Sequence, residues 1–223
     1  MIQMEDSPVL AKQKPEKGQF YVLRPDIRGG GPGHNVEIEN IEALLTAPSR
    51  ILRPAEGGIP PLRETPRLVH GAGKNKPPRD LEGGFSCYWL VSERLKEVLE
   101  SVDPGAFEFA ICDYVLPDGS PGPTHYLCDV IRQLAALDKP RSKYKVTLAH
   151  DHETGRSVEI LSVTGGAELA FLPKVVRSAH IFRMSERPSI VVCDEFLKSE
   201  TRKAGVGVKP SSDGILFTDA ATY

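Results

Sequence analysis

The stretch "YWLVSERLKEVLESVDPGAFEF", residues 88–109, constrains the fold of this chain more than any other. An apolar run long enough for one strand meets Ser92, whose hydroxyl can accept from a free backbone N–H in a first helical turn. Glu93 follows, at the positive end of the helix dipole. Leu95, Val98, Leu99 and Val102 then fall at i, i+3, i+4 and i+7, a single apolar stripe. "DPG" stops the helix and "AFEFAICDYVL" resumes as a strand. A strand feeding a helix with one apolar stripe must bury that stripe against a sheet.

A related arrangement returns at "SIVVCDEFLKSETRKAGVGV". In the simplest alignment Cys193 stands where Ser92 stands, Asp194 matches Glu93, and Phe196 matches Leu95. The second stripe then rests on Phe196, Leu197 and Ala204. Neither copy has a glycine at the strand end to expose a nucleophile, so the doublet reads as scaffold.

The remaining strand signals are short. "QFYVLRPDI" and "RLVH" read as strands, and "VEIENIEALLT" as a strand or a short helix. "YKVTLAHDHETGRSVEILSV" alternates on both sides of "DHETGR", the pattern of a hairpin. "AELAFLP", "AHIFRM" and "SIVVC" supply further strands. Between Ala47 and Gly84, Pro, Gly and Arg dominate and predict a long irregular wrap. The expectation is a single α+β domain with a mixed or antiparallel sheet, short amphipathic helices and a Pro/Gly-rich N-terminal loop region. A loose arm covers residues 1–18, a loop-rich part 19–84 and the core 85–223.

Charge is distributed unevenly. Residues 50–80 carry seven cations (Arg50, Arg53, Arg63, Arg67, Lys74, Lys76, Arg79) against three carboxylates. Residues 81–130 carry nine carboxylates (Glu82, Glu93, Glu97, Glu100, Asp103, Glu108, Asp113, Asp118, Asp129) against Arg94 and Lys96. Either the two stretches neutralise one another on folding, or the second offers an acidic recognition surface. The formal charge of −2 argues against a dedicated nucleic-acid binder.

Several stretches invite a chemical reading. "RGGGPGHN" lacks the Lys-Ser or Lys-Thr of a phosphate loop and reads as a turn. His150 and His152 in "AHDHET" would share a strand face, but zinc takes about three or four ligands and no third stands at motif spacing. No GxSxG is present. Cys87, Cys112, Cys128 and Cys193 form no CxxC, and three lie in apolar runs as small buried hydrophobes. Trp89, beside Tyr88, reads as core. No apolar leader opens the chain, and no run approaches the about 18 apolar residues of a membrane span, so a reduced, cytoplasmic setting is expected.

"WLVSERLKEVLESVDPGAFEF", "HYLCDVIRQLAALD" and "HIFRMSERPSIVVCDEFLKSETRKAGVGVKP" together resemble the eleventh catalogued immunity family of bacterial polymorphic toxin systems. That family was first described from a myxobacterial domain of unknown function. The likeness runs from Phe85 to Lys209 and is looser in the N-terminal third. It departs from the pattern at Cys193, where a cap residue is usual, and at Ser199, Glu200 and Thr201, where apolar residues are expected.

The resemblance implies a non-enzymatic antidote that needs no cofactor or metal and binds a cognate toxin, often a basic nuclease. Asp113 and Asp118, flanking a strand and turn, with Glu97 and Glu100 on the polar side of the first helix, are then the candidate partner-binding residues. No nucleic acid or membrane partner is expected, and the oligomeric state stays open. Two alternatives remain: a metal-dependent hydrolase built on His150 and His152, and a nucleic-acid-binding module built on Arg50–Arg79.

Overall fold

The computed structural model describes residues 14–28, 36–45, 53–54, 56–71, 76–85, 87–150, 155, 157–163 and 166–223. Of the arm expected over residues 1–18, residues 14–18 carry no strand or helix, and the rest lie outside the described residues. So do Arg50, Lys74, His152 and all but the first residue of "RGGGPGHN".

The doublet is built as its capping chemistry directs. Strand β5 (Tyr88–Ser92) runs into helix α1 (Glu93–Val102), and the Ser92 hydroxyl accepts from the Leu95 N–H at 3.3 Å. In the second copy β12 (Arg187–Asp194) runs into α3 (Glu195–Lys203). There the cap is Asp194, whose carboxylate accepts from the Leu197 N–H at 2.9 Å. The alignment of Cys193 with Ser92 is therefore one residue out. A thiol is a weak acceptor and Cys193 is wholly buried, whereas Asp194 offers a carboxylate at the helix entrance.

The shift also changes the stripe. Phe196 is 49% exposed, while Leu197, Lys198 and Thr201 are buried. The two polar residues are tolerated there because both are satisfied. Lys198 Nζ lies 3.6 Å from the centre of the Tyr21 ring and donates to Glu195, and the Thr201 hydroxyl donates to the Lys198 carbonyl.

The other elements are β1 (Phe20–Pro25), β2 (Val36–Ile38), β3 (Arg67–His70), β4 (Leu81–Phe85), β6 (Phe107–Tyr114), β7 (His125–Val130), β8 (Gln133–Leu134), β9 (Lys145–His150), β10 (Ser157–Ser162), α2 (Pro173–Val176), β11 (Ile181–Met184), α4 (Pro210–Asp213) and β13 (Ile215–Asp219). One sheet has the order β13-β1-β12-β11-β8, a second has the order β2-β3-β6-β7-β5-β4, and β9 and β10 form the expected hairpin.

These orders show how far the doublet extends. In the second sheet the β4–β5 hairpin feeds α1, which crosses to β6, and β7 fills the gap between β5 and β6, antiparallel to both. In the first sheet the β11–β12 hairpin feeds α3, the chain reaches β13, and the gap between β12 and β13 is filled by β1. The two units share one layout, but the gap strand follows its unit in the first copy and comes from the far N-terminal end in the second.

Burial explains why these strands read as apolar runs rather than alternating ones. Each of the two larger sheets packs apolar side chains on both faces. Trp89, Val91, Cys128 and Val130 meet Tyr21, Leu23, Val191 and Cys193 in a central core that also receives Leu95 and Leu99 of α1 and Leu197 of α3. Val22, Phe182, Ile190 and Val192 face a second cluster with Leu169 and Phe171. Tyr88, Leu90, Leu127 and Tyr114 face a third, with Leu44, Leu45 and Leu68.

Two segments depart from the sequence reading. "AELAFLP" forms no strand: Glu168 and Phe171 make only single bridges, to Lys143 and Leu137, before Pro173 starts α2. Residues 81–85, expected as the end of the irregular wrap, form β4. Its pairing slips between Glu82 and Phe85, where Gly84 takes a φ of 95°, so the glycines make a bulge rather than a loop. The division at 84/85 thus falls inside a strand.

Candidate partner-binding site

The four carboxylates singled out from sequence all lie at the surface, on different supports. Glu97 and Glu100 are exposed on α1, and Glu100 accepts from Lys96 one turn earlier at 2.6 Å. Asp113 lies within β6 rather than beside it, 55% exposed and 3.5 Å from Arg67 of β3. Asp118 sits in the turn that follows, where its carboxylate accepts from the Ser120 N–H at 2.9 Å and hydroxyl at 2.6 Å. Those bonds hold its carboxyl below the usual carboxylate range. Among the described residues no ion pair or hydrogen bond joins the α1 pair to Asp113 or Asp118.

The acidic stretch does not form one surface. Glu82, Asp103 and Asp129 are buried, each paired with arginine: Glu82 with Arg79, Asp103 with Arg132, and Asp129 with Arg53 and Arg183. The basic stretch loses cations in the same way. Arg53 and Arg79 are consumed by Asp129 and Glu82, and Arg67 pairs with Glu39 and Asp113. Much of the opposed charge is spent within the molecule, and of the described cations in Arg50–Arg79, Arg53, Arg67 and Arg79 are engaged by carboxylates.

The Asp129 knot has a further consequence. Asp129 is fully buried in β7 and accepts from Arg53 Nε at 2.8 Å, the Gly58 N–H at 2.7 Å and Arg183 Nη2 of β11 at 2.7 Å. It therefore ties the incoming wrap to both sheets. Gly57 and Gly58 turn with φ of 93° and 90°, and a Cβ on Gly58 would lie 2.6 Å from Glu108 Oε2. The next residue, Ile59, donates its N–H to that same oxygen at 2.6 Å, and the Tyr88 hydroxyl donates to the Gly58 carbonyl. The wrap is pinned again where the Arg63 N–H donates to the Leu44 carbonyl and where the Asp113 N–H donates to the Pro66 carbonyl.

Between these pins it stands away from β6. The result is a groove of about 620 Å³, walled by Ile59, Leu62 and Arg63–Pro66 on one side and by Glu108–Ile111 on the other. Ile111 is 55% exposed at its mouth. Nothing local in the sequence points to this site. "FEFAICDY" reads as an ordinary strand, and the arginine and aspartate that place the wrap are 76 residues apart.

The remaining chemical candidates separate. His150 is exposed at the end of β9, and among the described residues no group of three His, Cys, Asp or Glu could hold a metal ion. Cys112, Cys128 and Cys193 are buried as expected, and burial pushes the Cys112 thiol up to about 12, where it is no nucleophile. Among the described residues no helix is long and apolar enough to cross a membrane. Compared with known proteins, residues 19–222 match the family described as an immunity protein family (Imm11). No curated protein matches the chain.

Proposed function

Because the chain belongs to the immunity protein family (Imm11), matched from residue 19 to 222, we propose that it neutralises a cognate bacterial toxin by direct contact. Membership points to an immunity or antitoxin role, and such proteins generally act by binding rather than by catalysis. The match over nearly the whole chain is the observation that carries the reading.

The toxin is proposed to be basic and nuclease-like. The support is electrostatic: Glu97, Glu100, Asp113 and Asp118 remain at the surface after the inner carboxylates have been paired. Exposed carboxylates steer a cationic partner and discriminate against acidic ones, mainly through the association rate. Asp113 and Asp118 are the better placed, since the end of a strand and the turn after it reach a partner more readily than the polar side of a helix.

The test first asks whether the adjacent upstream reading frame encodes a toxin, and then uses its toxin domain in a catalytically disabled form. Co-purification of the two chains, and survival of cells that express active toxin only when this chain is present, are the expected results. Asp113→Lys with Asp118→Lys should slow association and flatten its dependence on salt. Absence of any complex would refute the antidote role. Equal association rates across a salt series would refute only the electrostatic part.

A further inference from the structure

The groove beside β6 contains a sheet edge that the described residues leave unpaired. Along β6 the alternation of main-chain directions is fixed from two sides. The Ile131 N–H donates to the Ala106 carbonyl at 2.8 Å, so the even-numbered residues Glu108, Ala110 and Cys112 bond to β7. The Asp113 N–H donates the other way, to Pro66 at 2.8 Å, so the odd-numbered residues face β3. But β3 pairs with β6 only at Asp113 and Tyr114. Phe109 and Ile111 therefore aim their N–H and C=O groups into the groove, and among the described residues no backbone group meets them.

Such an edge recognises one chemistry, an extended backbone, and natural proteins usually cover or blunt it. Here the covering wrap is held off by the Asp129 and Glu108 anchors. We propose that the β6 edge at Phe109 and Ile111 is the docking site for an extended, cationic segment of the cognate toxin, which adds as a strand. The proposal rests on the antidote reading.

The groove, faced on its far side by Ile59–Pro66, selects its occupant in two ways. Leu62 and the 55% exposed Ile111 line it, which suits one apolar side chain. Glu64 and Glu108 line the slot against Arg63, an acidic excess of one that favours a cationic residue beside that apolar one.

Ile111→Pro tests the edge directly. It deletes an N–H that points into the groove and leaves the β6–β7 ladder its bonds, the position at which a strand tolerates proline. Ile111→Lys keeps the backbone and sets a cation against a cationic segment, in case the proline variant fails to fold. The probe is the same disabled toxin domain. Both variants should weaken binding by about 10-fold or more, the effect of losing one central anchor, with the unfolding midpoint unchanged. The Phe109 and Ile111 amides should also exchange more slowly in the wild-type complex than in the free protein.

Equal affinity for wild type and Ile111→Lys, or unprotected amides in a complex that does form, overturns the edge proposal and leaves the antidote role standing. A wild-type dimer that Ile111→Lys dissociates, with toxin affinity unchanged, assigns the edge to a second copy and also overturns it. Failure of wild type to bind the toxin domain overturns the antidote reading itself.

Discussion

Asp129 is the residue whose loss should be felt most widely. It has no exposed surface and accepts from two arginines and the Gly58 N–H. The side chains of Arg53 and Arg183 are only 11% and 7% exposed, so neither can recover its hydration once the carboxylate is gone. Removing one partner from a buried ion pair costs about 3–5 kcal/mol. The stranded Gly58 N–H adds about 1–3 kcal/mol. These contributions share one network and do not simply add.

Asp129→Ala should therefore lose at least about 4 kcal/mol, close to the whole stability of a weakly stable domain. For a chain of this size that lowers the melting midpoint by at least about 8 °C. Thermal denaturation followed by tryptophan fluorescence measures it, since Trp89 lies in the central core. Replacing all three charges together (Arg53→Met, Asp129→Leu, Arg183→Met) should recover most of the loss, because the penalty lies in unpaired charge rather than in missing contacts. A midpoint for Asp129→Ala within about 2 °C of wild type would refute the reasoning, since it would require both guanidinium groups to reach water. A triple variant no better than the single one would refute the assignment of the cost to stranded charge.

Leu99→Ala should cost about 2–5 kcal/mol in the same denaturation assay, because Leu99 is 1% exposed in the central core. Asp194→Ala should cost about 0.5–2 kcal/mol through the lost cap of α3, whereas Phe196→Ala should change the midpoint little. Burial holds His125 below its ordinary value of 6.5, so the folded state resists a proton that the unfolded chain accepts. Its contribution is complete above pH 6.5 and is lost as the pH falls below it. Wild-type stability measured from pH 7 to 5 should fall more steeply than that of His125→Gln, and parallel slopes would contradict this. Gly214→Ala should be poorly tolerated, as φ is 76° and a Cβ would lie 2.1 Å from the Leu81 carbonyl oxygen.

The sequence by itself determined the local units. A hydroxyl before a helical apolar stripe sets where α1 starts and which face it buries, because capping and periodicity act over one or two turns. The β9–β10 hairpin and the short strands β1 and β3 were legible for the same reason. The second copy was legible only in outline. Choosing between Cys193 and Asp194 as cap depends on which of them the sheet buries, and Lys198 can lie against the core only because Tyr21 arrives from the other end of the chain.

Long-range pairing decided the rest. Nothing local tells β1 to enter between β12 and β13, since it could satisfy its hydrogen bonds along any open strand. Its place follows from the matching apolar faces of both sheets. Nor does the excess of carboxylates over residues 81–130 tell which of them stay in water. Asp129 and Asp113 look alike in sequence, yet one is sealed between two arginines and the other lies exposed on β6 beside Arg67. The open stretch of β6 is likewise a product of the tertiary structure. An edge is free or covered according to where a distant segment is anchored, and here that anchor is a buried ion pair whose partners the chain separates by 76 residues.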